Sequence, residues 1–181
     1  IVASGSQKGY MIPPGLSFIS ISKKAWEAAE KSNLPKFYLN LKSYRKSLSS
    51  NSNPYTPAVN LVFALDESLK MMREEGLDNI FLRHDKHKLA MSKAVKALNL
   101  KLFADERYLS PAVTAIQTGE IDAEEFRKTI KNKFDILLAG GQDHLKGQIF
   151  RVGHLGYVND RDIITVISAI SQTLLDQGKI T

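Results

Sequence analysis

Ile1-Val2-Ala3-Ser4-Gly5-Ser6-Gln7-Lys8-Gly9 opens the chain. Apolar, β-forming residues lead into a Ser/Gly turn that ends on a single lysine. Pro13-Pro14-Gly15 comes next, and then a second strand-like run, Leu16-Ser17-Phe18-Ile19-Ser20-Ile21-Ser22. The two prolines rule out helix between the runs, so residues 1–22 are predicted to be strand, loop, strand. A lysine at a strand end, backed by apolar residues, is a sensible place for a Schiff base. Partial burial disfavours the charged amine and frees its lone pair. A lysine in a hairpin connection is also an ordinary solvated cation, and residue types alone leave both readings open.

The remaining composition narrows the class of protein. The 181 residues are 43% hydrophobic and 24% charged, enough for a real core in one domain, or in one small domain plus part of another. There is no cysteine, so no disulfide framework and no thiolate-held nickel–iron or iron–sulfur centre within these residues. That suits the cytoplasm. No apolar run is long enough for a membrane helix, and a membrane role is not expected. The first residue reads as mid-strand and is not methionine, which suggests that the natural polypeptide begins earlier.

A net charge of +6 invites a nucleic-acid reading, because Lys31, Lys36, Lys42, Arg45 and Lys46 interleave with Phe37, Tyr38 and Tyr44. No nucleic-acid motif accompanies them, acidic residues are interspersed elsewhere, and a solvated basic face is expected. Positive potential would also steer anionic substrates.

Helical spacing organises much of the chain from Ser22 onward. Ser22 caps a short helix over 23–30, and Ser47–Pro54 reads as loop. A long helix is predicted over 57–75, with Ala58, Leu61, Val62, Leu65, Leu69 and Met72 on one face, Thr56 at its N-cap and Pro57 at its first position. Gly76 stops it. A second helix over 78–98 turns Met91, Ala94, Val95 and Leu98 inward. Strands are predicted at Lys101–Ala104, Ala112–Ile116, Asp135–Ala139 and Gln148–Val152. A helix starts at Asp122 with Glu125 as a capping-box-like partner, and a last helix covers 160–176. A boundary near Gly76 divides residues 1–75 from a compact α+β unit, 76–181.

Five further positions or stretches are candidates for chemistry. Arg151, in Phe150-Arg151-Val152-Gly153-His154-Leu155-Gly156, is either a strand-edge arginine paired with a local carboxylate or a planar clamp for a carboxylate ligand. Thr56 ahead of a helix is either a cap or, with free N–H groups, a phosphate contact. His84-Asp85-Lys86-His87 places two histidines three residues apart, but no third metal ligand is evident and a solvated helix face is expected. Ala139-Gly140-Gly141-Gln142 lacks the setting and the lysine of a P-loop and reads as a close-approach turn. His154 reads as a packed or surface histidine.

The string Ser4-Gly5-Ser6-Gln7-Lys8 followed by Pro13-Pro14-Gly15 resembles the lysine segment of the class V aminotransferases, most closely the alanine–glyoxylate and serine–glyoxylate branch. Some cyanobacterial members of that branch carry an older label as a soluble hydrogenase small subunit. The resemblance runs to the last helix. It implies an α/β fold of the pyridoxal-phosphate-dependent transferases of fold type I. Residues 1–75 would then be the end of the large cofactor-binding domain with its linking helix, and 76–181 the C-terminal small domain.

It further implies that Lys8 carries the Schiff base with pyridoxal phosphate and shuttles the α-proton. Gln7 and Thr56 would contact the cofactor phosphate, Thr56 from the neighbouring subunit of a homodimer whose active site lies at the subunit interface. Arg151 would clamp the substrate carboxylate, matching R-hydrophobic-G-x-x-G. Three residues before Thr56 the family can carry a phosphate-contacting tyrosine; here Asn53 stands there, with Tyr55 as the nearest alternative.

The implied reaction moves an amino group from a small amino acid (alanine, serine or aspartate) to a 2-oxo acid such as glyoxylate or pyruvate. The family's Gly/Ser phosphate loop, ring-stacking aromatic and pyridine-pairing aspartate all precede the lysine. The missing N-terminal half is therefore expected as a separate chain or as a lost segment, with these residues inactive alone. The competing expectation is a non-catalytic dimerisation or interaction module, or a subunit of a larger redox complex.

Overall fold

The computed structural model describes residues 1–180. They form two compact units, Ile1–Met71 and the remainder from Met72 onward.

In the first unit, strands β1 (Val2–Gly5) and β2 (Ser17–Ser20) pair antiparallel with Val2 opposite Ser20 and Gly5 opposite Ser17. Helix α1 (Lys23–Lys31) starts where the Ser22 hydroxyl accepts the Ala25 N–H. Helix α2 (Leu41–Leu48) was not expected from spacing or composition. Its cue is local: the Asn40 side chain accepts the Lys42 N–H at 3.1 Å, which opens a helix inside the basic segment.

Helix α3 (Val59–Glu75) begins two residues later than predicted. The Ala58 carbonyl accepts the first helical bonds, from Leu61 and Val62, while the Val59 N–H turns back onto the Pro57 carbonyl. Thr56 is therefore not the N-cap, and Pro57 lies outside the helix. Of the predicted apolar face, Val62 is 48% exposed, and the one buried α3 side chain is Ser68, whose hydroxyl donates to the Tyr10 carbonyl at 2.5 Å.

The second unit is a four-stranded antiparallel sheet of order β3-β4-β6-β5 packed on helices. Its strands are β3 (Lys101–Leu102), β4 (Val113–Gln117), β5 (Ala139–Gly140) and β6 (Ile149–Gly153). The helices are α4 (Leu77–Ala97), α5 (Ala123–Phe134) and α6 (Asp160–Asp176). Met91 and Val95 of α4, Phe126 and Ile130 of α5, and Ile163, Ile170 and Leu174 of α6 bury themselves with Ile116, Phe150 and Val152 of the sheet. Phe126 and Phe150 stack with ring centroids 5.3 Å apart.

Helix α5 opens on Asp122, which accepts the Glu124 and Glu125 N–H groups. It closes on Asp135, whose φ of 56° is left-handed. That closure explains why the predicted strand from Asp135 shrinks to Ala139–Gly140: its first residues turn the chain out of the helix. Asn159 and Asp162 form a reciprocal capping box at the start of α6. Among the described residues no helix is long and apolar enough to cross a membrane.

Candidate active site

Lys8 and Gln7 sit in one turn directly after β1. Ser6 holds that turn. It is fully buried, its hydroxyl donates to the Pro13 carbonyl at 2.8 Å, and it accepts the Leu16 N–H at 3.2 Å. The Ser6 N–H also donates to the Leu16 carbonyl, and Met11 N–H to the Lys8 carbonyl at 2.9 Å. Lys8 itself is exposed, so these residues do not supply the partial burial expected of a Schiff-base lysine. Its amine makes no ion pair or hydrogen bond among the described residues. Gln7 folds its amide back over Gly5, where a Cβ would meet Oε1 at 2.8 Å.

Thr56 lies in the irregular segment ahead of α3, exposed. Tyr55 beside it is committed elsewhere: its hydroxyl donates to the Phe37 carbonyl at 3.1 Å, and its ring packs against Tyr38 at 4.7 Å. Arg45 lies over the Trp26 ring at 4.8 Å and Lys42 pairs with Glu30 at 2.6 Å, so the basic segment is a solvated face with internal partners.

Arg151 belongs to the second unit, half-buried at the centre of β6, opposite Ala115 of β4 and Ala139 of β5. Its Nε donates to the Gly140 carbonyl at 2.9 Å. No aspartate or glutamate pairs with it among the described residues, which removes the strand-edge ion pair as its explanation. Both terminal nitrogens remain available to a planar, two-oxygen acceptor.

The loop after Arg151 is held by α4. Arg83 Nη1 donates to the Gly156 and Val158 carbonyls at 2.9 and 2.8 Å, while Nε reaches Glu75 at 2.5 Å. The Arg83 guanidinium holds the Glu75 carboxyl below its ordinary range. His84 accepts the Gly156 N–H at Nε2, 3.1 Å away, and its Nδ1 lies 2.7 Å from the Ile80 carbonyl.

His87 is buried, with Nε2 3.1 Å from Asp160 and Nδ1 unpartnered. Lys86 also pairs with Asp160, and Lys86 and then His87 lower that carboxyl. The expected solvated face for His84 and His87 is thus wrong. The helix turns them onto the loop before α6 and onto Asp160, where backbone and carboxylate partners offset part of the cost of burial and His87 Nδ1 stays unpaired. His154 is packed as expected: fully buried, Nε2 2.8 Å from the Thr114 hydroxyl and Nδ1 3.0 Å from the Pro111 carbonyl.

Gly140-Gly141 is a close-approach turn. A Cβ at Gly141 would strike the Leu145 carbonyl oxygen, and one at Gly140 would strike Glu124 and Arg127 of α5. Sequence reasoning assigned no role to Ser6, Arg83 or Arg127. Only Arg127 had a readable cue, an acidic partner three residues earlier on a predicted helix.

No family model matches the chain. It is 56% identical over 178 residues to the soluble hydrogenase 42 kDa subunit of Anabaena cylindrica, covering 98% of this chain and 46% of that protein. It is 35% identical over 180 residues to the L-aspartate–glyoxylate aminotransferase of Paracoccus denitrificans, again covering 98% and 46%. The crystal structure of ureidoglycine–glyoxylate aminotransferase from Bacillus subtilis superposes with a TM-score of 0.87 at 29% identity, over 97% of this chain and 47% of that one. The chain therefore spans about half the length of the curated relatives it matches. Over nearly the whole of its length the chain is thus homologous to class V aminotransferases, matching about half of each, and it shares the corresponding part of their fold type I architecture.

Proposed function

We propose that the chain is the part of a pyridoxal-phosphate-dependent transaminase that supplies the attachment lysine and the substrate-carboxylate arginine. The observation that carries the reading is Arg151, a half-buried guanidinium pinned through Nε, with its two terminal nitrogens free of any carboxylate among the described residues. Such a group prefers a two-oxygen anion, which an α-amino acid and a 2-oxo acid both present. The donor is a small amino acid and the acceptor a 2-oxo acid; the glyoxylate named in two of the relatives is the leading candidate.

The residues present fit the cofactor on the sides they cover. Lys8 offers an amine with no competing partner on a turn fixed by Ser6, and Gln7 and Thr56 are exposed polar side chains suited to phosphate. When bound, pyridoxal phosphate supplies an electron sink for the substrate's α-carbon. Lys8 would hold the cofactor through Nζ, and its amine is the base that would move the proton at that carbon. Arg151 would orient the substrate by its carboxylate.

In this reading residues 1–75 belong to the large domain and 76–181 to the small one. The working form is a cytoplasmic homodimer with Thr56 serving the neighbouring subunit's phosphate. The remaining half of the relatives' length supplies the rest of the site, and these 181 residues alone turn over no substrate. The hydrogenase name of the Anabaena relative favours a second reading, a non-catalytic subunit of a larger complex.

One experiment separates them. Pyridoxal phosphate is added to the chain together with the half that completes the site, the visible spectrum is recorded, the adduct is reduced with borohydride and the modified peptide is mapped. Label confined to Lys8 supports the transaminase site. Label scattered over many lysines, or no absorption band, overturns it and favours the subunit reading.

A further inference from the structure

The Nε–H of Arg151 ends on a backbone carbonyl of β5, and β5 is a weak support. It is two residues long and lies at the edge of the sheet, paired only with β6. Short edge strands fray unless something outside the ladder holds them.

Here that something is a side chain of α5. Arg127 Nε donates to the Leu138 carbonyl at 2.8 Å, one residue before β5. Its Nη1 donates to both carboxylate oxygens of Glu124 at 2.8 Å, which fixes the guanidinium plane. Both side chains are largely withdrawn from solvent, 22% and 38% exposed. The Cα of Gly140 packs directly against this pair, with no room for a Cβ between them. The contacts form one line: Glu124 fixes Arg127, Arg127 holds the Leu138 carbonyl and lies against Gly140, and the Gly140 carbonyl fixes Arg151.

We infer that Arg127, braced by Glu124 and admitted by Gly140, is a positioning residue that aims the Arg151 guanidinium for carboxylate binding. The inference rests on the reading of Arg151 as the carboxylate clamp. Arg151 has several rotatable bonds, and a clamp whose Nε is not held must lose that freedom on binding. Holding Nε in advance sets the plane in which the two terminal nitrogens meet an anion, and an offset of an ångström in such a group is costly. Arg127 touches neither substrate nor cofactor and works only through β5.

The test uses the nitrogen-15-labelled chain completed by the other half of the site, with glyoxylate as the probe. The Arg151 Nε–H signal is identified as the one lost in Arg151→Lys. In the unsubstituted chain it exchanges slowly and shifts on adding glyoxylate. Arg127→Ala is expected to speed its exchange and raise the glyoxylate Kd by about tenfold. Arg127→Lys, which keeps the charge without the planar fork, recovers part of that loss. Gly140→Ala pushes the pair away from β5 while leaving Arg127 in the chain, and has the same expected effect. It decides the matter if Arg127→Ala fails to fold, as judged from backbone amide spectra. If folded Arg127→Ala and Gly140→Ala both keep the slow Arg151 signal and the original Kd, the positioning role is overturned, while a lost glyoxylate response in Arg151→Lys leaves the clamp reading standing. If Arg151→Lys binds glyoxylate as before, or the unsubstituted chain shows no response, the clamp reading falls and takes this inference with it.

Discussion

Arg83 of α4 donates from Nη1 to the carbonyl of Val158 at 2.8 Å, across 75 residues of sequence. One planar side chain thereby ties the first helix of the second unit to the segment leading into its last. Its Nε and Nη2 are taken by Glu75, so all three guanidinium nitrogens are in use.

Arg83→Ala is therefore expected to destabilise the second unit by about 2 kcal/mol, since it strands two loop carbonyls and leaves Glu75 without its partner. Arg83→Lys should recover only part of this, because an ammonium cannot serve the carboxylate and the two carbonyls in one plane. Urea unfolding followed by circular dichroism measures both. A midpoint equal to that of the unsubstituted chain would show the contacts to be idle.

Acid sensitivity arises from His154. Burial depresses its basicity, and the nearby His87 and His84 add to the effect. Its proton affinity in the folded chain is thus below that in the unfolded chain. As pH falls below the ordinary histidine value of about 6.5, the unfolded state takes up a proton that the folded state refuses, and stability declines at up to about 1.4 kcal/mol per pH unit until the lower folded value is reached. Glu75 and Asp160, both depressed, add a second loss at lower pH as each is protonated in the folded state. His154→Gln should flatten the first slope, with the second retained. Stability measured between pH 7 and 5 checks the sign, and a rise toward pH 5 would refute it.

Ser6→Ala should loosen the lysine turn. The hydroxyl satisfies a carbonyl and an N–H in a buried site, so its loss is expected to cost about 2 kcal/mol in the first unit. Hydrogen exchange at the Met11 and Leu16 amides reports the loosening. Unchanged protection would mean that the Ser6 backbone bonds suffice.

Two glycines should behave in opposite ways. Gly141→Ala places a methyl on the Leu145 carbonyl oxygen, which is backbone and cannot step aside, and about 3 kcal/mol of destabilisation is expected. Gly9 has open space around its Cα and no left-handed φ, so Gly9→Ala should stay within about 0.5 kcal/mol of the original. Thermal melts of the pair provide the comparison.

Much of this architecture was legible because local chemistry and final structure agree. Ser22, Asp122 and the run Ile163–Leu174 carry strong cap or periodicity signals and form the expected helices. Legibility failed where a tight local turn or a long-range partner overrides the pattern. Thr56 and Pro57 look like a helix start, yet a tighter turn onto Pro57 postpones α3 to Val59. His87 looks like a polar position on an open face, and only the return of the chain at Asp160 covers it. The candidate residues Gln7, Lys8, Thr56 and Arg151 can be proposed from pattern. Their supports could not, because Ser6 with Pro13, Arg83 with Val158 and Arg127 with Leu138 meet through folding.

The pleat of β6 has an evolutionary consequence. Phe150 and Val152 point into the core from either side of Arg151, which faces away from it. Repacking around Phe150 and Phe126 therefore tilts the strand that carries the guanidinium, and a change that moves the guanidinium strains the packing in return. On the carboxylate-clamp reading, substrate preference and folding robustness lie on adjacent residues of one strand, so drift in either is answerable to selection on the other. Innovation in ligand choice is then expected to begin at positions off this strand, where a substitution leaves Phe150 undisturbed.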